Sequence, residues 1–250
     1  MKLANWNVAK PVSQVRRDAM LKYLGQVAAD LLVLTETHDG FNPGYKNVCS
    51  SAAGRDGKDL KQYRWASIWS NEELEPLETK DKERTVAARV IPDKSESFIV
   101  FATVLPWMGS TWRGHISKGG VAFRESLTVQ KADWLYLRKK YPTEDLFVIG
   151  DFNQALVDSQ YYGSKKNRRE LESALRVTGL IALTAGKDDP IARYSPPCAC
   201  IDHICMLGES KWELSTTERW PNIEKPLRPL SDHFGVAVAL KLRSRLQTVD

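Results

Sequence analysis

Seven polar residues have the types and the placement to act together on an anionic substrate: Asn7, Glu36, Asp151, Asn153, Asp202, Asp232 and His233. Asn7 and Glu36 lie at the ends of two apolar runs, and Asp151 and Asn153 follow a third. Asp202 sits inside a fourth, and Asp232-His233 come directly before a fifth. Ligands of α/β sheets bind beyond strand carboxyl ends, so polar residues placed there are candidates for one site. Mg²⁺ takes hard oxygen ligands and keeps several waters. Glu36, Asp151 and Asp232 together can hold one or two such ions. Asn7 and Asn153 add amides that orient a phosphate or a water without adding negative charge. His233, beside a carboxylate, can take a proton from an attacking water near neutral pH. A second carboxylate on its other nitrogen would fix its tautomer.

The elements that must position these residues follow from hydrophobic periodicity. Leu3–Val8 reads as a strand, Val12–Ala28 as an amphipathic helix, and Leu31–Leu34 as a strand buried on both faces, which makes a parallel unit. The segment from His38 to Lys61 reads as a long loop. Tyr63–Trp69, Leu74–Glu78, Thr85–Ile91 and Ser97–Leu105 read as strands joined in antiparallel hairpins. Pro106–Gly120 reads as a loop, and Val121–Lys140 as a second amphipathic helix. Asp145–Gly150 is another buried strand, Lys166–Val177 a third helix, and Ile201–Leu207, Trp212–Glu218 and Gly235–Leu242 are the last strands. Parallel units mixed with hairpins, and no linker, predict one α/β domain over 1–243 with a polar tail at 244–250.

The chain has 250 residues, 42% hydrophobic and 27% charged, so it can bury a sizeable core and is not a disordered chain. A net charge of +5 modestly favours an anionic partner. No apolar run approaches the roughly 20 residues of a membrane span, and no secretory core follows Met1. The expectation is a cytoplasmic protein with no membrane span and no obligate protein partner, its four cysteines reduced. Cys198, Cys200, His203 and Cys205 do not have the spacing of common zinc ligands.

The order NWN, LTE, GDFN, IDHI and SDHFGV, from Asn5 to Val236, resembles the endonuclease/exonuclease/phosphatase superfamily, which includes DNase I and exonuclease III. The resemblance implies a four-layered α/β sandwich: two packed mixed, mostly antiparallel β-sheets flanked by helices. It implies a Mg²⁺ (or Mn²⁺) site at Asn7 and Glu36, with Asp232 and Asp151 as further members and Glu36 as the principal ligand. Asp151 would position or activate the attacking water, Asn153 would contact the phosphate, and Asp202 would orient His233. His233 would serve as general base or hold the scissile phosphate. The sequence departs from the DNase I and AP endonuclease branches at Thr103–Trp107, where no titratable group stands for theirs.

The activity so implied is metal-dependent phosphoester hydrolysis by a metal-activated water and a His–Asp pair. A nuclease acting on DNA or RNA is the first reading, since Trp107, Trp112, Arg113 and His115 lie together in one basic, aromatic loop suited to stacking on bases. A phosphatase or phosphodiesterase acting on a small or lipid-linked phosphate is the alternative, and a silent binding protein is the third. Trp6, Trp65 and Trp69 are expected in the core, and His203, on the strand face opposite Asp202, is expected to be structural. Substrate choice should reside in loops 39–61, 106–120 and 184–200.

Overall fold

A computed structural model describes residues 1–54, 61–113, 119–157, 162–192, 198–221 and 230–243, together with the backbone of 115–116. The polar tail at 244–250 and the side chain of His115 lie outside the described residues.

The first sheet is built on β1 (Lys2–Asn7), which runs parallel to β2 (Leu31–His38) and antiparallel to β14 (Gly235–Leu242). On its flanks lie β13 (Trp212–Trp220), β4 (Tyr63–Ser70) and β3 (Asn47–Ser50), giving the order β13-β14-β1-β2-β4-β3. The second sheet centres on β10 (Asp145–Asp151), parallel to β7 (Phe98–Val104) and antiparallel to β12 (Asp202–Leu207). With β11 (Leu180–Ala182), β6 (Thr85–Ile91) and β5 (Glu73–Leu77) its order is β11-β12-β10-β7-β6-β5. A two-residue ladder, β8 (Thr111–Trp112) with β9 (His115–Ile116), lies apart.

Period-two alternation sorts the side chains into layers. Leu3, Val33, Ile68, Val86, Val100, Phe147, Ile149, Ile204, Val236 and Val238 form a core between the sheets. Their outward neighbours Ala4, Trp6, Leu32, Leu34 and Trp69 pack under α1 (Gln14–Val27) through Met20 and Leu24. Ile99, Phe101, Val148 and Cys205 pack under α2 (Val121–Lys140) and α3 (Lys165–Thr178) through Phe123, Trp134 and Leu171. The result is the expected four-layered sandwich, helix on sheet on sheet on helices. Trp6, Trp65 and Trp69 are buried as expected. No helix among the described residues is long and apolar enough to cross a membrane.

Helix ends follow local chemistry. Ser13 and Ser164 cap α1 and α3 with their hydroxyls, and Gly179 ends α3 in the left-handed conformation. Arg138, Lys139 and Lys140 sit in the last turn of α2, where positive charge suits the helix dipole.

Several elements depart from the sequence reading, the β8–β9 ladder inside the expected loop at 106–120 among them. The 38–61 segment contains β3, a short edge strand with too few apolar residues to show periodicity. β11, three residues long, escapes detection for the same reason. β2 continues four residues past Leu34, because Thr35, Thr37 and His38 pair through the backbone with Ala66, Arg64 and Tyr63 whatever their side chains.

Gly150 fixes how closely β10 approaches β7. Its φ is 152°, and a Cβ there would lie 1.9 Å from the Thr103 carbonyl oxygen. We expect Gly150→Ala to destabilise the fold by roughly 2–4 kcal/mol, from backbone strain plus overpacking against a rigid strand. For a chain of this size that lowers Tm by about 5–15 °C in a thermal melt. A shift under about 2 °C would show that the strands can part at no cost.

Candidate active site

The sheet registers bring the acids together. Asp151 is the last residue of β10 and pairs directly with Asp202, the first residue of β12, so both side chains leave the sheet on one face. That face is the one of Phe147, Ile149 and Ile204, turned toward the other sheet. On the facing sheet, Leu3 points inward, and Asn5 and Asn7 follow it by alternation. The Asn5 amide crosses the gap and donates to the Gly150 carbonyl at 2.9 Å. The apolar core thus ends in a polar cleft at one pole of the sandwich.

Asp151 is the most enclosed acid. Its Oδ2 accepts from Asn7 Nδ2 and from Asn153 Nδ2, each at 3.0 Å, and its Oδ1 accepts from the Asn153 backbone N–H at 2.9 Å. Asn153 holds φ 48°, a left-handed conformation that Asn tolerates, and its amide also donates to the Leu105 carbonyl at 2.9 Å. Its amide nitrogen is therefore spent on orienting Asp151. The Thr103–Trp107 segment, which lacks a titratable group, contributes this carbonyl instead.

Glu36 is brought in by the backbone. A φ of 50° inside β2 interrupts the strand and turns the side chain toward Asn7, which donates to its Oε1 at 3.5 Å. Lys10 Nζ lies 3.7 Å from Oε2, an ion pair the sequence did not suggest. Asn7 Oδ1 accepts from the Ala9 N–H at 2.9 Å, which fixes the amide so that one nitrogen serves both Glu36 and Asp151.

His233 donates from Nδ1 to Asp202 Oδ2 at 2.7 Å, as expected of a tautomer-fixing pair. Ser231 ties this corner to β1: its hydroxyl donates to the Asn7 carbonyl at 2.6 Å and accepts from the His233 N–H at 3.0 Å. Trp6 Nε1 donates to the His233 carbonyl at 3.1 Å. Asp232 is exposed, and its charge acts on both Glu36 and His233.

The electrostatics follow from burial and proximity. Burial, then the Asp202 charge, pushes Asp151 up to about 7, against the opposing pull of His233. Burial also raises Glu36, partly offset by the Asn7 hydrogen bond. For His233, burial favours the neutral ring, yet the Asp202 charge and hydrogen bond, backed by Asp151 and Asp232, push it up to about 10.

The donor set fits a hard divalent cation. Asp202 Oδ1 is buried without a hydrogen-bond partner among the described residues. Ligand atoms of Asp151, Asp202 and His233 lie within 4.8 Å of one another. That grouping differs from the expected Glu36, Asn7, Asp232 and Asp151. His233 Nδ1 is already committed to Asp202, so the oxygen-rich side of the cleft, Glu36 and Asp151 joined by Asn7, suits Mg²⁺ or Mn²⁺ better.

The aromatic loop divides: Trp107 lies 5.9 Å from the Arg84 guanidinium, whose charge acts on Glu36, while Trp112 packs inside. Trp112 is buried, with its indole N–H on Asp81 Oδ2 at 2.7 Å and the Arg113 guanidinium 4.5 Å above its ring. Arg113 also donates to the Lys80 carbonyl at 3.0 Å. Trp112 thus packs in the structure and offers no open stacking face. Trp107 is partly exposed and leans on Trp65, centroids 6.3 Å apart, with the buried Arg84 guanidinium 4.1 Å from the Trp65 ring. His203 is buried, held by Thr184 Oγ1 at 3.2 Å and the Gln154 carbonyl at 3.0 Å, and burial lowers its pKa: a structural, neutral histidine. Two residues near the cleft carried no signal in the sequence reading. Tyr162 is 39% exposed and lies in the field of the site carboxylates. Arg16 feels the charge of Asp232.

Residues 4–233 match the profile of the endonuclease/exonuclease/phosphatase family. No curated protein matches the chain. Among solved structures, a 3′ phosphatase from Neisseria bound to a product DNA hairpin superposes with a TM-score of 0.63 at 17% identity, over 96% of this chain and 99% of that one. An AP endonuclease from Archaeoglobus fulgidus gives 0.65 at 17% identity, over 97% and 100%. A mannosyl-6-phosphatase from Bacteroides thetaiotaomicron gives 0.66 at 15% identity, over 97% and 100%. At such identities the likeness is one of fold.

The His233–Asp202 pair gives a titration that can be read directly. In metal-free protein, imidazole NMR signals of His233 should titrate near 10. In Asp202→Asn they should titrate well below that, because the largest opposing charge and its hydrogen bond are gone while burial still favours the neutral ring. A folded pKa above the unfolded value near 6.5 stabilises fully below that pH, and the contribution is lost as pH rises through about 10. Asp202→Asn should therefore lower Tm most near pH 6, with the deficit shrinking toward pH 10. A wild-type His233 titrating near 6.5 would remove the ion pair from the argument.

Proposed function

Since the chain belongs to the endonuclease/exonuclease/phosphatase family, whose members hydrolyse phosphoester bonds, we propose that it is a divalent-metal-dependent phosphoesterase with a nucleic acid as its substrate, its catalytic domain spanning 1–243. The observation that carries this reading is the cluster itself: Glu36, Asp151 and Asp202 beside a charged His233, with the Asn7 amide between Glu36 and Asp151.

Glu36, Asp151 and Asn7 would hold the cation, with Asp232 at the rim and Asp202 Oδ1 within the same cluster. A divalent cation bound there supplies positive charge against the phosphate and eases deprotonation of water. Asp151 accepts the proton of the water that attacks phosphorus. Asn7 and Asn153 keep its carboxylate aimed at that water. His233, as imidazolium, holds the phosphate oxygens while the bond to the leaving oxygen breaks, and Asp202 fixes the ring for this by occupying Nδ1. With Nδ1 on Asp202, His233 has Nε2 free of that bond for the phosphate or for a proton.

The net charge of +5 favours a polyanion, and two structures of similar fold act on or carry DNA in name: the 3′ phosphatase with its DNA hairpin and the AP endonuclease. The mannosyl-6-phosphatase supports the second reading, a small phosphomonoester. A silent binding protein is disfavoured because hydrogen bonds hold Asn7, Glu36 and Asp151 together and seat His233 on Asp202.

Purified protein with Mg²⁺ or Mn²⁺ should convert at least one of a panel of plasmid DNA, single-stranded DNA, RNA, an abasic duplex and sugar phosphomonoesters. Chelation by EDTA should abolish turnover, and Glu36→Ala and His233→Ala should each lower kcat by roughly 10²–10⁴-fold. Turnover of the monoesters alone would select the second reading. No turnover at all, or two fully active variants, would refute the enzyme reading.

A further inference from the structure

The start of α1 breaks a local rule. Helices favour acidic residues in their first turn, and Glu or Gln three residues after a Ser cap. Here Ser13 is the cap, the first turn holds no acid, and the third and fourth helical positions are Arg16 and Arg17. Positive charge there runs against the helix dipole. Local rules broken without a local gain tend to mark functional constraints.

The structure shows what those guanidinium groups hold. Arg16 donates to the carbonyls of Val8 at 2.9 Å, Ala9 at 2.8 Å and Lys10 at 3.1 Å, and through Nε to the carbonyl of Leu230 at 2.6 Å. Its Nη2 also donates to Leu230. Arg17 donates to the carbonyls of Pro11 at 2.6 Å, Val12 at 2.7 Å and Gly40 at 2.9 Å. The segment Val8–Val12 leaves β1 directly after Asn7. Leu230 stands just before Ser231, Asp232 and His233, and Gly40 follows β2, which carries Glu36. Ala9 and Lys10 hold φ of 44° and 56°, a conformation that non-glycine residues adopt only when their surroundings enforce it. The enforcing contacts are Arg16 on their carbonyls and the Lys10 N–H on the Glu36 carbonyl at 2.7 Å.

We infer that Arg16 and Arg17 are positioning residues which lace three separate loops together, so that Asn7, Glu36 and the Asp232-His233 corner converge on one cation. The inference rests on the metal-site reading given above. Neither side chain touches substrate in this role; each acts through the carbonyls it gathers. A lysine cannot replace them, since one ammonium lacks the planar fork that reaches carbonyls of two loops at once.

The test is Mn²⁺ binding alone, followed by the loss of the free-ion EPR signal, in the full chain and in Arg16→Lys, Arg17→Lys, Glu36→Ala and Arg89→Lys. Arg89 bridges Glu75 and Glu144 on β6 and serves as a control for the loss of a surface guanidinium. Arg16→Lys should weaken Mn²⁺ binding by about 10-fold, as loss of an outer support for metal ligands typically does. Arg17→Lys should weaken it less, Arg89→Lys not at all, and melting temperatures should stay close to wild type. Full Mn²⁺ affinity in Arg16→Lys overturns the inference. So does an Arg16→Lys protein that is unfolded at low temperature, since the arginine would then be holding the fold and not the site. If wild type binds no Mn²⁺, or Glu36→Ala binds it as well as wild type, the metal-site reading fails instead, independently of the arginines.

Discussion

Two carboxylates buried side by side are the constraint from which the rest of the site follows. The pairing of β10 with β12 sets Asp151 opposite Asp202 at the end of an apolar core. Unit charges roughly 4 Å apart repel by about 4 kcal/mol at an effective dielectric near 20, and burial adds to that cost. The chain answers in two ways. His233 brings a positive charge onto Asp202, and Asp151, pushed up to about 7, accepts three hydrogen bonds from two asparagines that favour its ionised form. Amides are suited to this because they donate without charge. A third acid, Glu36, is met on its outer side by Lys10. The negative charge left over lies on Asp232 and in part on Asp151, where a divalent cation could meet it.

The scaffold tolerates this concentration of charge because its cores are elsewhere. One hydrophobic core fills the space between the sheets and two others seat the helices, so the cleft occupies only a pole of the sandwich. The cleft is then framed by chain ends and loops, tied by main-chain carbonyls: Leu105 holds Asn153, the Gly150 carbonyl receives Asn5, and Ser231 joins the exit of β1 to His233. Such contacts use backbone atoms that any residue supplies. They let the loops beyond them change without disturbing the acids, which is how one fold serves many substrates.

The cysteine and histidine cluster near β12 shows the same separation of roles. Cys200, Cys205 and His203 are buried, burial raises both thiols, and His203 spends both ring nitrogens on Thr184 and Gln154. Adjacent residues of one strand thus face different worlds. Asp202 looks into the cleft and His203 into the helix layer, where it props the backbone that follows Asn153.

The sequence by itself determined the helices and most strands, because alternation and helical spacing are local signals that burial must obey, and the four layers followed from the resemblance its motifs carry. It placed α2 at its true bounds, and it brought out Asn7, Glu36, Asp151, Asn153, Asp202 and His233, whose short motifs sit where the apolar runs stop. It could not show β3 or β11, which are too short to carry a period, nor the left-handed kink at Glu36, which depends on neighbours across the sheet. Contacts within the site were decided only in three dimensions. Asn153 turns its amide onto Asp151 and Leu105, Trp112 is enclosed by Asp81 and Arg113, and Lys10 and Arg16 enter because loops distant in sequence meet. The reason is physical: a residue's type and spacing fix which face it occupies, but charge, hydrogen bonding and pKa depend on partners that only the packed sheets bring within a few ångströms.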